Sequence, residues 1–251
     1  MRPETHSRWP ARIWIVRHGE SAGNVANATA LAARTQRVDI TGRDMDVPLS
    51  SLGQQQAAAL GGWFDAMPND QRPQHVMASP YARARLTAEA ITQHAHLTEG
   101  VILDERLREK ELGALDRLTK FGIETLFPDQ AELRRSIGKF YYRPPAGESW
   151  CDVILRLRSA WETICLHYAG KRLVIVSHHV VVMCFRYLLE NLSAEQVLAI
   201  DAEDDVKNCA VTEYAFTAAP APRLTLVRYN FTAPLEEAGA PVTAEKSAPQ
   251  K

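Results

Sequence analysis

The chain has 251 residues, 46% apolar and 24% charged, which suits one α/β domain and excludes disordered and fibrous classes. A net charge of -1 provides no long-range field for nucleic acid or an anionic membrane, so any anion must be bound locally. Cys151, Cys165, Cys184 and Cys209 have neither metal-ligand nor disulfide spacing and read as thiols of a reducing cytoplasm. No apolar signal segment opens the chain. The most hydrophobic run, 173–189, is interrupted by Ser177, His178, His179 and Arg186 and is too short and polar to span a bilayer.

Residues 1–11 read as a loose leader. Apolar, β-rich runs follow at 13–16 (IWIV), 75–79 (HVMAS), 101–104 (VILD), 172–177 (RLVIVS), 210–216 (AVTEYAF) and 223–229 (RLTLVRY). The first and fourth are continuously apolar, as in strands covered on both faces. Helices are predicted at 51–67, 80–95 and 180–191, with two more starting at Ser149, three residues before Asp152, and at Ser193, three before Gln196. Alternating strands and helices define a three-layer α/β sandwich around a mostly parallel sheet. The domain is expected over 12–232, with an insert at 116–150. The segment 233–251 lacks an apolar period and reads as a mobile tail.

Ligands of such sheets bind beyond the carboxyl ends of the strands. The run at 13–16 ends in Arg17 and His18, that at 75–79 leads to Arg83, and that at 172–177 leads to His178. Two guanidiniums and two imidazoles on one edge suit a compact, multiply charged anion, because arginine's planar fork binds phosphate oxygens in pairs. Phosphate binding alone does not require His18 in a tight Arg-His-Gly turn. A neutral imidazole with one nitrogen pinned as a donor is a nucleophile near pH 7. Glu109, in LREKELG, is favoured over Glu105 and Glu111 as the proton donor.

Together IVRHGES (15–21), SPYARARLTAEA (79–90), LREKELG (107–113) and VSHH (176–179) resemble, in the same order, the motifs of the histidine phosphatase superfamily, which has the phosphoglycerate mutase-like fold. The resemblance implies that His18 is phosphorylated, that Arg17 and Arg83 bind the phosphate, that His178 stabilises the transferring group and that Glu109 donates the proton. It also places Asn24 and Asn208 at the substrate, and implies no metal and no cofactor, because arginines and helix ends take magnesium's place. One departure is His179, where the family usually has glycine.

The insert, richer in charge than its flanks, is the part that in this family folds over the pocket. Lys139, Tyr142, Arg143 and the pair Arg134 and Arg135 are its candidates for a second anionic or polar group of the substrate. Asn24 with Asn27 and the Thr41-Gly42 pair fit the spacing of the glycolytic mutases, but the tryptophan after that turn and the NERHYG block are missing. The expected activity is therefore hydrolysis of a small phosphomonoester, with mutase activity as the alternative. A silent phospho-ligand binder would have been expected to lose His18 or Glu109. The run at 223–229, as an edge strand, is open to pairing in a homodimer.

Overall fold

The computed structural model describes residues 8–218 and 221–244. Six strands form one sheet in the order β3-β2-β4-β1-β5-β6: β1 (Arg12–Arg17), β2 (His75–Ala78), β3 (Ile102–Leu103), β4 (Arg172–Ser177), β5 (Val211–Thr217) and β6 (Arg223–Phe231). The first four are mutually parallel, and β5 and β6 add an antiparallel edge.

Both central strands alternate between two cores. Ile13, Ile15, Leu173 and Ile175 face one side, and Trp14, Val16, Val174 and Val176 face the other, all fully buried. That is why IWIV and LVIV are apolar without a break. The first face is covered by α6 (Trp150–His167), α7 (His179–Glu190) and α8 (Ala194–Glu203). The second is covered by α2 (Ser51–Asp65), α3 (Ala82–His94) and α9 (Ala233–Glu237). Ser149 with Asp152 and Ser193 with Gln196 form the two expected capping boxes. A further box of Ser21 and Asn24 opens α1 (Ala22–Ala32), a helix the alanine-rich composition did not announce. The insert contributes α4 (Lys120–Leu126) and α5 (Pro128–Ile137), whose small core is Leu115, Leu118 and Tyr142 with Ile123 and Phe127.

The crossover order positions the site. The chain leaves room beside β1 for β4, which enters between β1 and β2. The carboxyl ends bearing Arg17 with His18, Ser79 and His178 thus become immediate neighbours.

Both proposed termini need correction. Within the leader, Trp9 stacks on Trp161 with centroids 5.7 Å apart, and the Ala11 amide donates to the Lys171 carbonyl at 2.8 Å. In the tail, Leu235 is fully buried in the second core, and the Asn208 amide donates to the Thr243 carbonyl at 2.9 Å. The run from 233 to 244 holds the short helix α9 and is anchored in the second core by Leu235 and Ala240, with hydrogen bonds from Gln56 to Pro241 and Thr243. Residues 1–7 and 245–251 lie outside the described residues.

Leu235→Ala is expected to lower the unfolding free energy by about 2–4 kcal/mol, the cost of a buried leucine truncation. Urea denaturation monitored by tryptophan fluorescence would measure it, and a loss under 0.5 kcal/mol would mean that the segment is not part of the core.

Candidate active site

The turn after β1 is held by backbone bonds on every side. The His18 amide donates to the Ser177 carbonyl at 2.9 Å, and the Gly19 amide donates to Thr87 Oγ1 at 3.0 Å. Gly19 is required by contact, since a Cβ there would lie 2.5 Å from the Gly53 carbonyl oxygen. Gly53 in turn lies against the Glu20 backbone, where a Cβ would overlap the carbonyl. The first turn of α2 therefore clamps the arginine-histidine-glycine corner.

His18 Nδ1 lies 2.7 Å from the Gly19 carbonyl oxygen. A carbonyl can only accept, so Nδ1 carries the proton and Nε2 keeps its lone pair. Burial, then the charges of Arg83 and Arg17, hold this imidazole well below its usual pKa of 6.5. The side chain is a neutral base with one free nitrogen.

Around it opens a cleft of about 370 Å³, lined among others by Arg17, Asn24, Tyr81, Arg83, Glu109, Lys110, Lys139 and His179. Arg17 is fixed by Nη1 donating to the Val206 carbonyl at 2.6 Å. Arg83 lies over the Tyr81 ring at 5.2 Å and forks onto Asp44. Burial pushes the Tyr81 hydroxyl up to about 12.

Glu109 lines the same cleft, where its Oε1 accepts from the Lys110 amide at 2.7 Å. Burial raises its carboxyl above the ordinary range, against the nearby cations. Its loop is fastened from α6: Arg156 donates to the Arg106 carbonyl at 2.6 Å, to the Glu109 carbonyl at 3.2 Å and to both oxygens of Glu148. Glu148 also accepts from Arg108 and from the Glu111 amide. Neither Glu148 nor Arg156 had a sequence signal, because the network joins loops forty residues apart.

His178 is brought to His18 and not to the cleft wall. It is fully buried, with the two ring centroids 5.2 Å apart and edge to face. Its Nε2 is 2.8 Å from Ser79 Oγ, and its Nδ1 has no hydrogen-bond partner. Burial and the cations around it keep its pKa well below 6.5.

Several expected ligand contacts are placed elsewhere. Asn208 is fully buried and donates to the His18 carbonyl at 3.0 Å, so it supports the His18 backbone and does not line the cleft. Tyr142 points into the insert's own core and donates to Gln130 at 2.9 Å. Arg143 is spent on Asp152 at the surface, and Arg135 is spent on Glu132. Asn24 does line the cleft, but its Oδ1 is taken by the Ser21 cap at 3.0 Å. Lys139 reaches the cleft paired with Asp201, which also accepts from His179 Nε2 at 2.6 Å. That carboxylate, 1% exposed, ties His179 to α8 while the histidine still lines the cleft. Lys110 was missed: it lines the cleft, its ammonium has no hydrogen bond or ion pair among the described residues, and burial brings it down to about 8.

The fold and the edge-on cluster of arginines and histidines define an α/β protein with a cationic cleft at the carboxyl edge of its sheet, and the comparisons narrow this further. Residues 13–231 match the model of the histidine phosphatase superfamily (branch 1), and the chain belongs to that superfamily. The phosphoglycerate mutase-like protein AT74H of Arabidopsis thaliana is 32% identical over 67% of this chain and 62% of its own length. A "Probable phosphoglycerate mutase GpmB" of Photorhabdus laumondii is 27% identical over 83% and 86%. Among solved structures, a mycobacterial glucosyl-3-phosphoglycerate phosphatase complexed with VO3 aligns with a TM-score of 0.67 at 23% identity, covering 88% of this chain and 99% of that one. The alpha-ribazole phosphatase of Shigella flexneri aligns at 0.68 with 18% identity, covering 88% and 97%. At these identities the structures establish the fold alone.

Arg83→Gln is expected to raise the pKa of His18, because it removes a positive charge that disfavours the imidazolium. NMR titration of the His18 ring would show the rise, and a fall or no change would mean that the two groups are not coupled.

Proposed function

We propose that the protein is a phosphatase that hydrolyses a small phosphomonoester through a phosphohistidine on His18. The observation carrying this reading is the Nδ1 bond to the Gly19 carbonyl, which leaves Nε2 unprotonated between two arginines. The ester's phosphoryl group lies between Arg17 and Arg83, whose charges balance the equatorial oxygens. Nε2 forms the bond to phosphorus while the ester P–O bond breaks. Glu109, whose carboxyl burial raises above the ordinary range, gives its proton to the departing alkoxide. Water then attacks the phosphohistidine, Glu109 takes the water's proton, and inorganic phosphate leaves with the His18 lone pair restored.

His178 serves the transferring group. Its Nε2 lies 2.8 Å from Ser79 Oγ, which also accepts from the Tyr81 amide at 3.3 Å, while its Nδ1 has no partner among the described residues. A buried ring nitrogen without a partner, on a ring 5.2 Å from that of His18, suits a role beside the transferring group.

Lys110, which lines the same cleft, suits a second anionic or polar group of the substrate, with Lys139 beside it held by Asp201. A phosphomutase is the second reading, favoured by the names of the curated relatives. The four cysteines are free, which agrees with a cytoplasmic setting. No helix among the described residues is long and apolar enough to cross a membrane.

His18→Ala is expected to reduce p-nitrophenyl phosphate turnover by roughly a thousand-fold or more, while Glu109→Gln lowers kcat by about 10²–10⁴. Rapid quenching followed by mass spectrometry should find phosphate on His18 during turnover. An unmodified ring during steady conversion would overturn the mechanism, and isomerisation of 3-phosphoglycerate outpacing phosphate release would favour the mutase. On a phosphomonoester that also bears a carboxylate, Lys110→Met should raise KM about ten-fold, with p-nitrophenyl phosphate unaffected. Equal effects on both substrates would remove Lys110 from recognition of the second group.

A further inference from the structure

Arg83 holds a carboxylate from its own chain. Its Nη1 donates to Asp44 Oδ1 at 3.1 Å and to the Asp44 carbonyl at 2.8 Å, and its Nη2 donates to Asp44 Oδ2 at 2.9 Å. Two parallel N–H bonds onto two oxygens of one anion is the arrangement a guanidinium also offers to phosphate. The geometry points to Asp44 as a built-in competitor that takes the phosphate's place on Arg83 and sets how tightly the cleft holds a bare phosphate; this rests on the phosphate site proposed above.

Three observations support exchange over a permanent structural bridge. The partners are unequally exposed, with Arg83 8% and Asp44 41% exposed, so one of them can swing into water without unpacking the core. Asp44 sits in a short 3-10 turn, Asp44–Asp46, two residues after Gly42, whose φ of +79° and open surroundings leave the segment little packed at that point. The cleft wall also presents Glu111 and Asp116, and Asp44 helps to raise the Asp116 carboxyl. Asp44 is therefore one of four carboxyl side chains lining the cleft, with Glu109, Glu111 and Asp116.

The consequence concerns selectivity. A phosphate entering the cleft must displace Asp44 from Arg83, and that cost is the same for inorganic phosphate and for an ester. An ester recovers it through contacts of its remaining groups with the cleft, whereas inorganic phosphate has none to add. When hydrolysis has removed those groups, Asp44 returns to the fork and the product is released. Asp44 thus biases the site against its own product.

The test measures binding of inorganic phosphate and of vanadate to the full chain by calorimetry, with their inhibition of p-nitrophenyl phosphate hydrolysis alongside. Asp44→Asn and Asp44→Ala should each tighten phosphate about ten-fold. Asp46→Asn, whose carboxylate among the described residues pairs only with Arg43 at the surface, should change nothing. Unchanged or weakened phosphate binding in both Asp44 variants, with melting temperatures near that of the unaltered protein, would overturn the inference and make Asp44 a support for Arg83. Phosphate that binds the unaltered protein and is lost in Arg83→Gln would then leave the proposed site standing while this role falls. If phosphate bound none of these proteins, the phosphate site itself would fail with it.

Discussion

Everything at the reactive edge depends on one hydrogen bond, from a ring nitrogen of His18 to the carbonyl of the next residue. That bond forms only if the chain turns tightly after β1, and the turn is possible only if residue 19 lacks a side chain, since α2 presses its own glycine against it. Position in the sheet, glycine at two contacting turns and the proton's location on the ring are one constraint seen at three scales. It leaves a single nitrogen for chemistry without any general base to deprotonate it.

Around that nitrogen, charge is arranged so that two titrating groups move in opposite directions. Burial and two arginines push the His18 imidazole well below its usual pKa, while burial raises the carboxyl of Glu109 despite the same arginines. In the proposed mechanism this opposite displacement suits one group to attack and the other to donate a proton. The Glu148 and Arg156 network holds the acid's loop against α6, so the separation of the two groups depends on packing remote from the cleft.

The parts of this arrangement legible in the sequence are those whose signal is local. Continuous apolar runs reveal β1 and β4, serine followed three residues later by a polar acceptor marks two helix starts, and charged residues immediately after strands identify Arg17, His18, Arg83 and His178 as edge residues. Pairings across the fold leave no such mark. Arg143 looked like a ligand contact because its partner, Asp152, belongs to a cap nine residues on; Tyr142 looked polar and proved to be the insert's core. Asn208 was placed on the substrate, whereas its amide serves the backbone behind the nucleophile. Lys110 passed unnoticed because cations next to a carboxylate in sequence are ordinarily surface pairs, and here the lysine is the member without a partner. The segment 233–244 misled for another reason, since a five-residue helix and two buried apolar residues, Leu235 and Ala240, fasten it where an amphipathic period would have been looked for.

That fastening has a reach beyond the core. Gln56 accepts from the Glu20 amide and donates to the Pro241 carbonyl and to Thr243 Oγ1, and Thr243 Oγ1 donates to Asn208, which donates to the His18 carbonyl. Residues 241–243 are thus tied to the backbone on both sides of Gly19 through one intermediary each, Gln56 and Asn208. Loosening this strap would slacken the segment that carries His18, so the cleft's geometry leans on packing far from it in sequence.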